Sequence, residues 1–153
     1  ASFNAHGWFM SGDLGRFDEG GNLQVVGRMK DLIIRGGHNI FPARIEDLAH
    51  GHPGVSKAAA FPIADERLGE RVCLAVVAGT PPGPGAKEML AHLDAAGLSR
   101  YDMPEYYLVM PEFPMTASGK TLKRELVAWA RDGRIQPTPC RAGGADKPSQ
   151  RPI

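Results

Sequence analysis

The sequence predicts an α+β fold: a small sheet with β-hairpins and packed helices. Three observations lead there. Two glycine-centred turns, "DEGGN" at 18–22 and Gly36-Gly37, each separate two short apolar runs, the signature of hairpins. Two longer apolar runs, "VSKAAAFPI" (55–63) and "RVCLAVVAG" (71–79), read as strands, the second so uniformly apolar that it belongs at the centre. Three stretches carry apolar residues at helical spacing between the strands.

In chain order, residues 1–29 read as short strands and turns, with "LQVVGR" the return strand of the first hairpin. "DLIIRGGHNIF" (31–41) is the second hairpin. "FPARIEDLAHGHPG" (41–54) is a helix: Pro42 suits its first turn, Ile45, Leu48 and Ala49 share a face, and Gly51 and Pro53 stop it. "KEMLAHLDAAGL" (87–98) is a second helix, closed by Gly97, and "PEYYLVM" (104–110) a further strand. "KTLKRELVAWARDG" (120–133) is an amphipathic helix with Leu122, Leu126 and Trp129 on one face. From Gln136 the composition turns to Pro, Gly and charge without periodicity, so 134–153 is expected to be a disordered tail.

Composition narrows the function classes. At 153 residues, with 42% hydrophobic and 23% charged residues, the chain suits one ordinary globular domain, or one small domain with an appendage. A formal net charge of +1, with no basic stripe, argues against a nucleic-acid partner. No apolar run approaches the ~20 residues of a membrane span. Two cysteines make no disulfide framework: Cys73 reads as a buried hydrophobe and Cys140 as part of a polar tail, so a cytoplasmic, reducing setting is expected. His50 and His52 have no cysteine or carboxylate at metal spacing and read as surface residues; no metal site is expected. The charged run Asp65, Glu66, Arg67, Glu70, Arg71 reads as a solvated loop.

Six residues invite a chemical reading. Asp13, in a small-residue turn after Ser11-Gly12, either caps that turn or grips two adjacent hydroxyls with its two acceptor oxygens. Arg28 and Lys30, beside Asp31, either face solvent at a turn or supply a donor fork and a mobile charge for phosphate. Gly36 and Gly37 permit positive φ and close approach of a ligand. Lys120 follows a flexible Thr-Ala-Ser-Gly run and precedes a helix, where the dipole mildly disfavours a cation. Gly119-Lys120-Thr121 imitates the end of a phosphate-cradling P-loop, but the position that needs the first glycine is Pro114, which has no N–H to offer.

Taken together and in order, "GWFMSGDLGRFDEGGNLQVVGRMKDLIIRGGHNIFPARIE", "PIADERLGE" and "PMTASGKTLKREL" resemble the C-terminal portion of the ANL superfamily of adenylate-forming enzymes, over residues 7–130. "GGHNIFPARIE" looks most like the acyl-CoA synthetase branch. The resemblance implies an enzyme that joins a carboxylic acid to ATP with Mg2+, forming an acyl-adenylate, and passes the acyl group to CoA. It implies that residues 1–29 end a large N-terminal domain and that 30–133 form the mobile C-terminal α+β domain that turns between the two half-reactions. Asp13 then matches the ribose-binding aspartate, with Ser11 where threonine is usual. Arg28 matches the nucleotide-contacting arginine and Lys30 the hinge. Gly36 and Gly37 match the loop lining the pantetheine channel, and Lys120 matches the lysine that reaches carboxylate and α-phosphate. The partners implied are the chain's own N-terminal domain, which would hold most of the ATP, AMP and Mg2+, and a protein acyltransferase that recognises "PMTASGK" and modifies Lys120. Without the large domain the chain is expected to be inactive, and residues 1–29 to be poorly ordered or to pair with a second copy. The competing expectation is a stand-alone binding or regulatory module that keeps the fold without the chemistry.

Overall fold

The computed structural model describes residues 3–141. Eight strands and three helices follow in the order β1 (Asp13–Phe17), β2 (Leu23–Arg28), β3 (Ile33–Arg35), β4 (His38–Ile40), α1 (Pro42–His50), β5 (Val55–Asp65), β6 (Gly69–Ala78), α2 (Ala86–Ala95), β7 (Tyr106–Met110), α3 (Lys123–Arg131) and β8 (Thr138–Pro139). The α+β architecture expected from the sequence is the one observed.

β6 organises the larger sheet. It pairs antiparallel with β5 from Val55↔Ala78 to Asp65↔Gly69 and parallel with β7 from Cys73↔Tyr106 to Val77↔Met110. The β3–β4 hairpin joins its start through Arg35↔Gly69. From Val72 to Ala78 β6 is apolar because both its faces are covered. Val72, Leu74 and Val76 pack with Ile33, Ile40, Ile45, Met89 and Leu93 under α1 and α2. Cys73 and Ala75 point the other way, to Phe61, Phe113 and Leu126 under α3. The period-two alternation of a strand thus separates two cores, one on each side of the sheet.

The helices end where their chemistry says. Pro42 opens α1, whose Ile45 and Ala49 are buried; the Gly51 N–H bonds back to the Leu48 carbonyl. In α2 the Glu88 carboxylate accepts from the Gly85 N–H at 3.3 Å, and Met89 and Leu93 are fully buried. No helix among the described residues is long and apolar enough to cross a membrane.

Four expectations need correction. First, residues 134–141 are not structureless. β8 pairs with β7 through Tyr106↔Pro139 and Tyr107↔Thr138, and the Cys140 N–H donates to the Glu105 carbonyl at 2.9 Å. Backbone pairing to an open sheet edge needs no apolar pattern, so composition hid it. Cys140 is half-buried, and burial pushes its thiol up to about 11; residues 142–153 of the expected tail lie outside the described residues. Second, α3 starts at Lys123, not Lys120, because Met115 and Thr121 form a bridge that holds the preceding residues in a turn.

Third, His52 is not a surface residue. Its Nδ1 accepts from the Gly54 N–H at 3.0 Å, its Nε2 stands 3.2 Å from a Glu88 oxygen, and its ring packs edge-on against His92. Fourth, the charged run after β5 is a structured turn. Asp65 accepts from the Leu68 and Arg67 N–H groups and pairs with the buried Arg71. Those bonds, led by Leu68, hold its carboxyl below the ordinary value near 3.8. A depressed carboxyl stabilises the fold above its ordinary pKa, and this contribution is lost as pH falls through the lowered value. The first hairpin is the one expected: β1 and β2 pair within the chain, in register from Asp13↔Arg28 to Phe17↔Leu23 with a bulge at Leu14/Gly15. Their turn is ordered by Asp18, which accepts from the Gly20 and Asn22 N–H groups at 2.9 Å.

Candidate functional site

Register brings Asp13 and Arg28 together. They face each other across the β1–β2 hairpin, and the Arg28 Nε lies 3.2 Å from Asp13 Oδ1. Both side chains are exposed, so the pair adds little stability. It sets an acceptor pair and a donor fork side by side, groups whose chemistry suits hydroxyls and phosphate respectively. The Asp13 N–H bonds to Ser11 Oγ at 3.1 Å, which holds the start of β1.

Lys30 lies in a single 3₁₀ turn, Met29–Asp31, between this hairpin and β3. The hairpin forms its own two-stranded sheet, and a cleft of about 770 Å³ lined by Leu14, Val26, Phe41, Arg44 and Asp47 separates much of it from α1. Lys30 therefore marks the point where the chain passes from one sheet to the other. The hairpin also leaves Phe17, Leu23 and Val25 each about two-thirds exposed.

Gly36 and Gly37 form the two-residue turn between β3 and β4, with φ of 56° and 83°. Consecutive positive φ values are what such a tight hairpin demands, and glycine meets them at least cost. Gly36 also docks: its N–H donates to the Leu68 carbonyl at 2.7 Å, and a Cβ there would meet Leu68 Cδ2 at 3.4 Å. A Cβ on Gly37 would meet nothing within 4 Å. The turn is braced at its root. Arg35 forms an ion pair with Glu105 and donates to the Tyr101 carbonyl, while Glu105 also accepts from the Val72 N–H at 3.0 Å. Both partners are largely buried. Removing one leaves the other desolvated and unpaired, so Glu105→Ala should cost about 3 kcal/mol or more. Urea unfolding of this chain checks it; a loss below about 1 kcal/mol, the size of an exposed pair, would show the pair to be unimportant.

Lys120 ends a closed turn rather than a flexible run. The Thr116 N–H donates to the Lys120 carbonyl at 2.8 Å, the Lys120 N–H to Thr116 Oγ1 at 3.0 Å, and the Gly119 N–H to the Thr116 carbonyl at 2.9 Å. Gly119 has φ of 82°. The Leu122 N–H donates to the carbonyl of Pro114 at 2.7 Å, so the proline that excludes a P-loop serves here as an acceptor. The Lys120 side chain is exposed, and its ammonium has no partner among the described residues.

The six residues do not form one cluster. Asp13 and Arg28 share the hairpin. The glycine turn stands at the Asp65–Gly69 end of the β5–β6 ladder. The Lys120 turn stands at the opposite end, where β7 exits at Met110 beside Val77 and Lys57 Nζ meets Met115 Sδ at 3.0 Å. From Lys57 to Asp65 a strand spans roughly 25 Å.

Sequence reading missed the residues that support the turns. Arg35 and Glu105 lie 70 positions apart, and Glu46 and Lys123 form a second ion pair at 2.6 Å. Glu105 had one local signal, a lone carboxylate opening an apolar strand. Among the described residues no group of His, Cys, Asp and Glu could hold a metal ion.

The profile of the AMP-binding enzyme C-terminal domain family matches residues 44–120, half of the chain, ending on Lys120. The medium-chain fatty-acid–CoA ligase of Escherichia coli K12 is 39% identical over 123 residues, covering 80% of this chain and 22% of the relative. A salicylyl-CoA synthase / salicylate adenylyltransferase of a Streptomyces species is 42% identical over 125 residues, covering 82% and 23%. Among solved structures, o-succinylbenzoate CoA synthetase from Bacillus subtilis, in complex with its acyl-adenylate intermediate, superposes with a TM-score of 0.73 at 35% identity, over 82% of this chain and 25% of that one. ATP-bound MatB from Rhodopseudomonas palustris gives 0.75 at 31% identity, over 88% and 26%. The chain thus spans about a quarter or less of the length of these relatives. The resemblance to the C-terminal portion of adenylate-forming enzymes is borne out.

Proposed function

The chain belongs to the family of AMP-binding enzyme C-terminal domains, and from that premise we propose that it serves as the mobile part of an AMP-forming acyl-CoA synthetase. In this reading the whole enzyme adenylates a carboxylic acid with ATP and then passes the acyl group to CoA. The relatives named as medium-chain acyl-CoA ligases and as a salicylyl-CoA synthase support a carboxylic acid and CoA as substrates.

One observation carries the proposal: the Lys120 turn and the Gly36–Gly37 turn project from opposite ends of one sheet. A single reaction centre cannot receive both at once. If each serves one half-reaction, the domain must turn between them. The 3₁₀ turn at Lys30, between two separate sheets, is suited to be the pivot. The hairpin's exposed Phe17, Leu23 and Val25 would then pack on the large N-terminal domain, with 1–29 remaining attached to it.

The roles follow from chemistry. Lys120 brings a positive charge to a carboxylate attacking a phosphate, two anionic groups that otherwise repel. Asp13 accepts from the ribose hydroxyls, and Arg28 donates to the nucleotide from the neighbouring strand. Gly36 and Gly37 leave room for the thiol arm of CoA beside the backbone. Mg2+, held mainly by the large N-terminal domain, would supply charge neutralisation on ATP.

The test is pyrophosphate release by the complete protein offered Mg-ATP and a panel of carboxylic acids, with thioester yield measured after CoA is added. Release that depends on one acid class, followed by thioester, is expected. Release with no acid dependence, or none with any acid, contradicts the reading.

Acylation of Lys120 offers control of the same step. Its ammonium is exposed on a turn, and acylation would remove the charge. Incubation with a protein acyltransferase and acyl-CoA should give a Lys120 adduct by mass spectrometry with a parallel loss of adenylation. An adduct that leaves adenylation intact would contradict this.

A further inference from the structure

We infer that Glu46 and Lys123 are positioning residues for Lys120: their ion pair sets where the lysine turn stands, and so governs adenylation but not transfer to CoA. The inference rests on the role proposed for Lys120.

Lys123 is the first residue of α3, three positions after Lys120. Its Nζ lies 2.6 Å from Glu46 Oε1, and the same oxygen accepts from the Ala60 N–H at 2.7 Å. One carboxylate oxygen therefore joins α1, the edge strand β5 and the start of α3. Both side chains are largely buried, unlike the neighbouring Arg124, which is 83% exposed.

The arrangement is not explained by helix stability. A lysine in the first turn of a helix sits at the positive end of the dipole, where a cation is disfavoured. Burying that ammonium adds a desolvation cost. Glu46 offsets both, and the gain is a fixed origin for α3. The Ala60 bond also fills an outward backbone donor on the edge of the sheet.

Phe113 before the turn and Leu126 in α3 anchor its flanks in the core; within the turn itself the remaining attachments are weaker or internal. The Met115–Thr121 bridge and the Thr116 bonds give it shape, but they close the turn on itself. The Lys57 ammonium reaches it only through the Met115 thioether, a weak acceptor. With no side-chain partner of its own among the described residues, the Lys120 ammonium stands wherever the base of its turn is held. A displacement of ~1 Å at a reacting group can cost ~10²-fold in rate.

The experiment uses the complete enzyme with Glu46→Gln and Lys123→Met, and Lys123→Arg as the conservative variant. Lys123→Met leaves the Glu46–Ala60 bond in place and so provides a folded test even where Glu46→Gln does not. Acid-dependent pyrophosphate exchange reports adenylation; thioester formation from preformed acyl-adenylate reports transfer. Glu46→Gln and Lys123→Met should each lower the exchange kcat about tenfold or more, with transfer unchanged and with Lys123→Arg close to the parent. Equal losses in both half-reactions, or no loss in exchange, overturn the inference. Lys120→Ala in the same assay separates the two claims. If it abolishes exchange while the Glu46 and Lys123 variants do not, only the positioning inference falls. If it too leaves exchange intact, the role of Lys120 falls first.

Discussion

Replacing Lys120 by alanine should lower acyl-adenylate formation by ~10²-fold or more while leaving transfer from preformed acyl-adenylate to CoA unchanged. The magnitude follows from charge. At about 4 Å and an effective dielectric near 20, one ion pair is worth about 4 kcal/mol. A hundredfold loss needs about 2.7 kcal/mol, so even partial screening leaves room for the effect. The fold should survive, because the turn is held by backbone groups and the Thr116 hydroxyl, not by the lysine side chain. Pyrophosphate exchange and single-turnover thioester formation read the two steps separately. Equal loss in both would mean that Lys120 supports the domain rather than the first reaction.

Replacing Gly37 by leucine should give the opposite pattern, with adenylation retained and thioester formation reduced by about tenfold or more. Two effects compete at this position. The positive φ of 83° costs any side chain about 1–2 kcal/mol of local strain. A bulky side chain would also fill the space beside the turn, which is open within this domain. Gly37→Ala separates them. Strain would penalise alanine and leucine alike, whereas an obstructed passage penalises leucine far more. Gly36 is the poorer probe, since its N–H and its contact with Leu68 also dock the turn on the sheet. Thioester formation by Gly37→Leu at the parent rate would remove this turn from the path of the thiol.

Much of the scaffold was legible because it rests on local patterns. β6 announces itself by an unbroken apolar run, and its covering on both faces is the reason for that run. Gly36 and Gly37 are legible as a turn because only such φ values close a two-residue hairpin. β8 was not, since a two-residue edge strand containing a proline pairs only through its backbone. The supports of the candidate site were hidden for a different reason. Arg35–Glu105 and Glu46–Lys123 join residues far apart in sequence, and no periodicity marks them. Lys123 in particular reads as one more charge on a solvated helix face until α1 is seen beside it. The separation of the two turns also needed the topology: parallel pairing of β7 with β6 sends the chain out at the end of the sheet away from the glycines.

In the proposed function one domain presents these two ends in turn to one reaction centre. A distance measurement in the complete enzyme tests it most directly. One spin label at Ser118, beside Lys120, and one in the large N-terminal domain would be read first with ATP and the acid, then with acyl-adenylate and CoA. From Lys57 to Asp65 the strand between the two ends spans roughly 25 Å, so a domain that exchanges those ends should change the label-to-label distance by an amount of that order between the two conditions. An unchanged distance, in an enzyme that completes both half-reactions, would contradict the account.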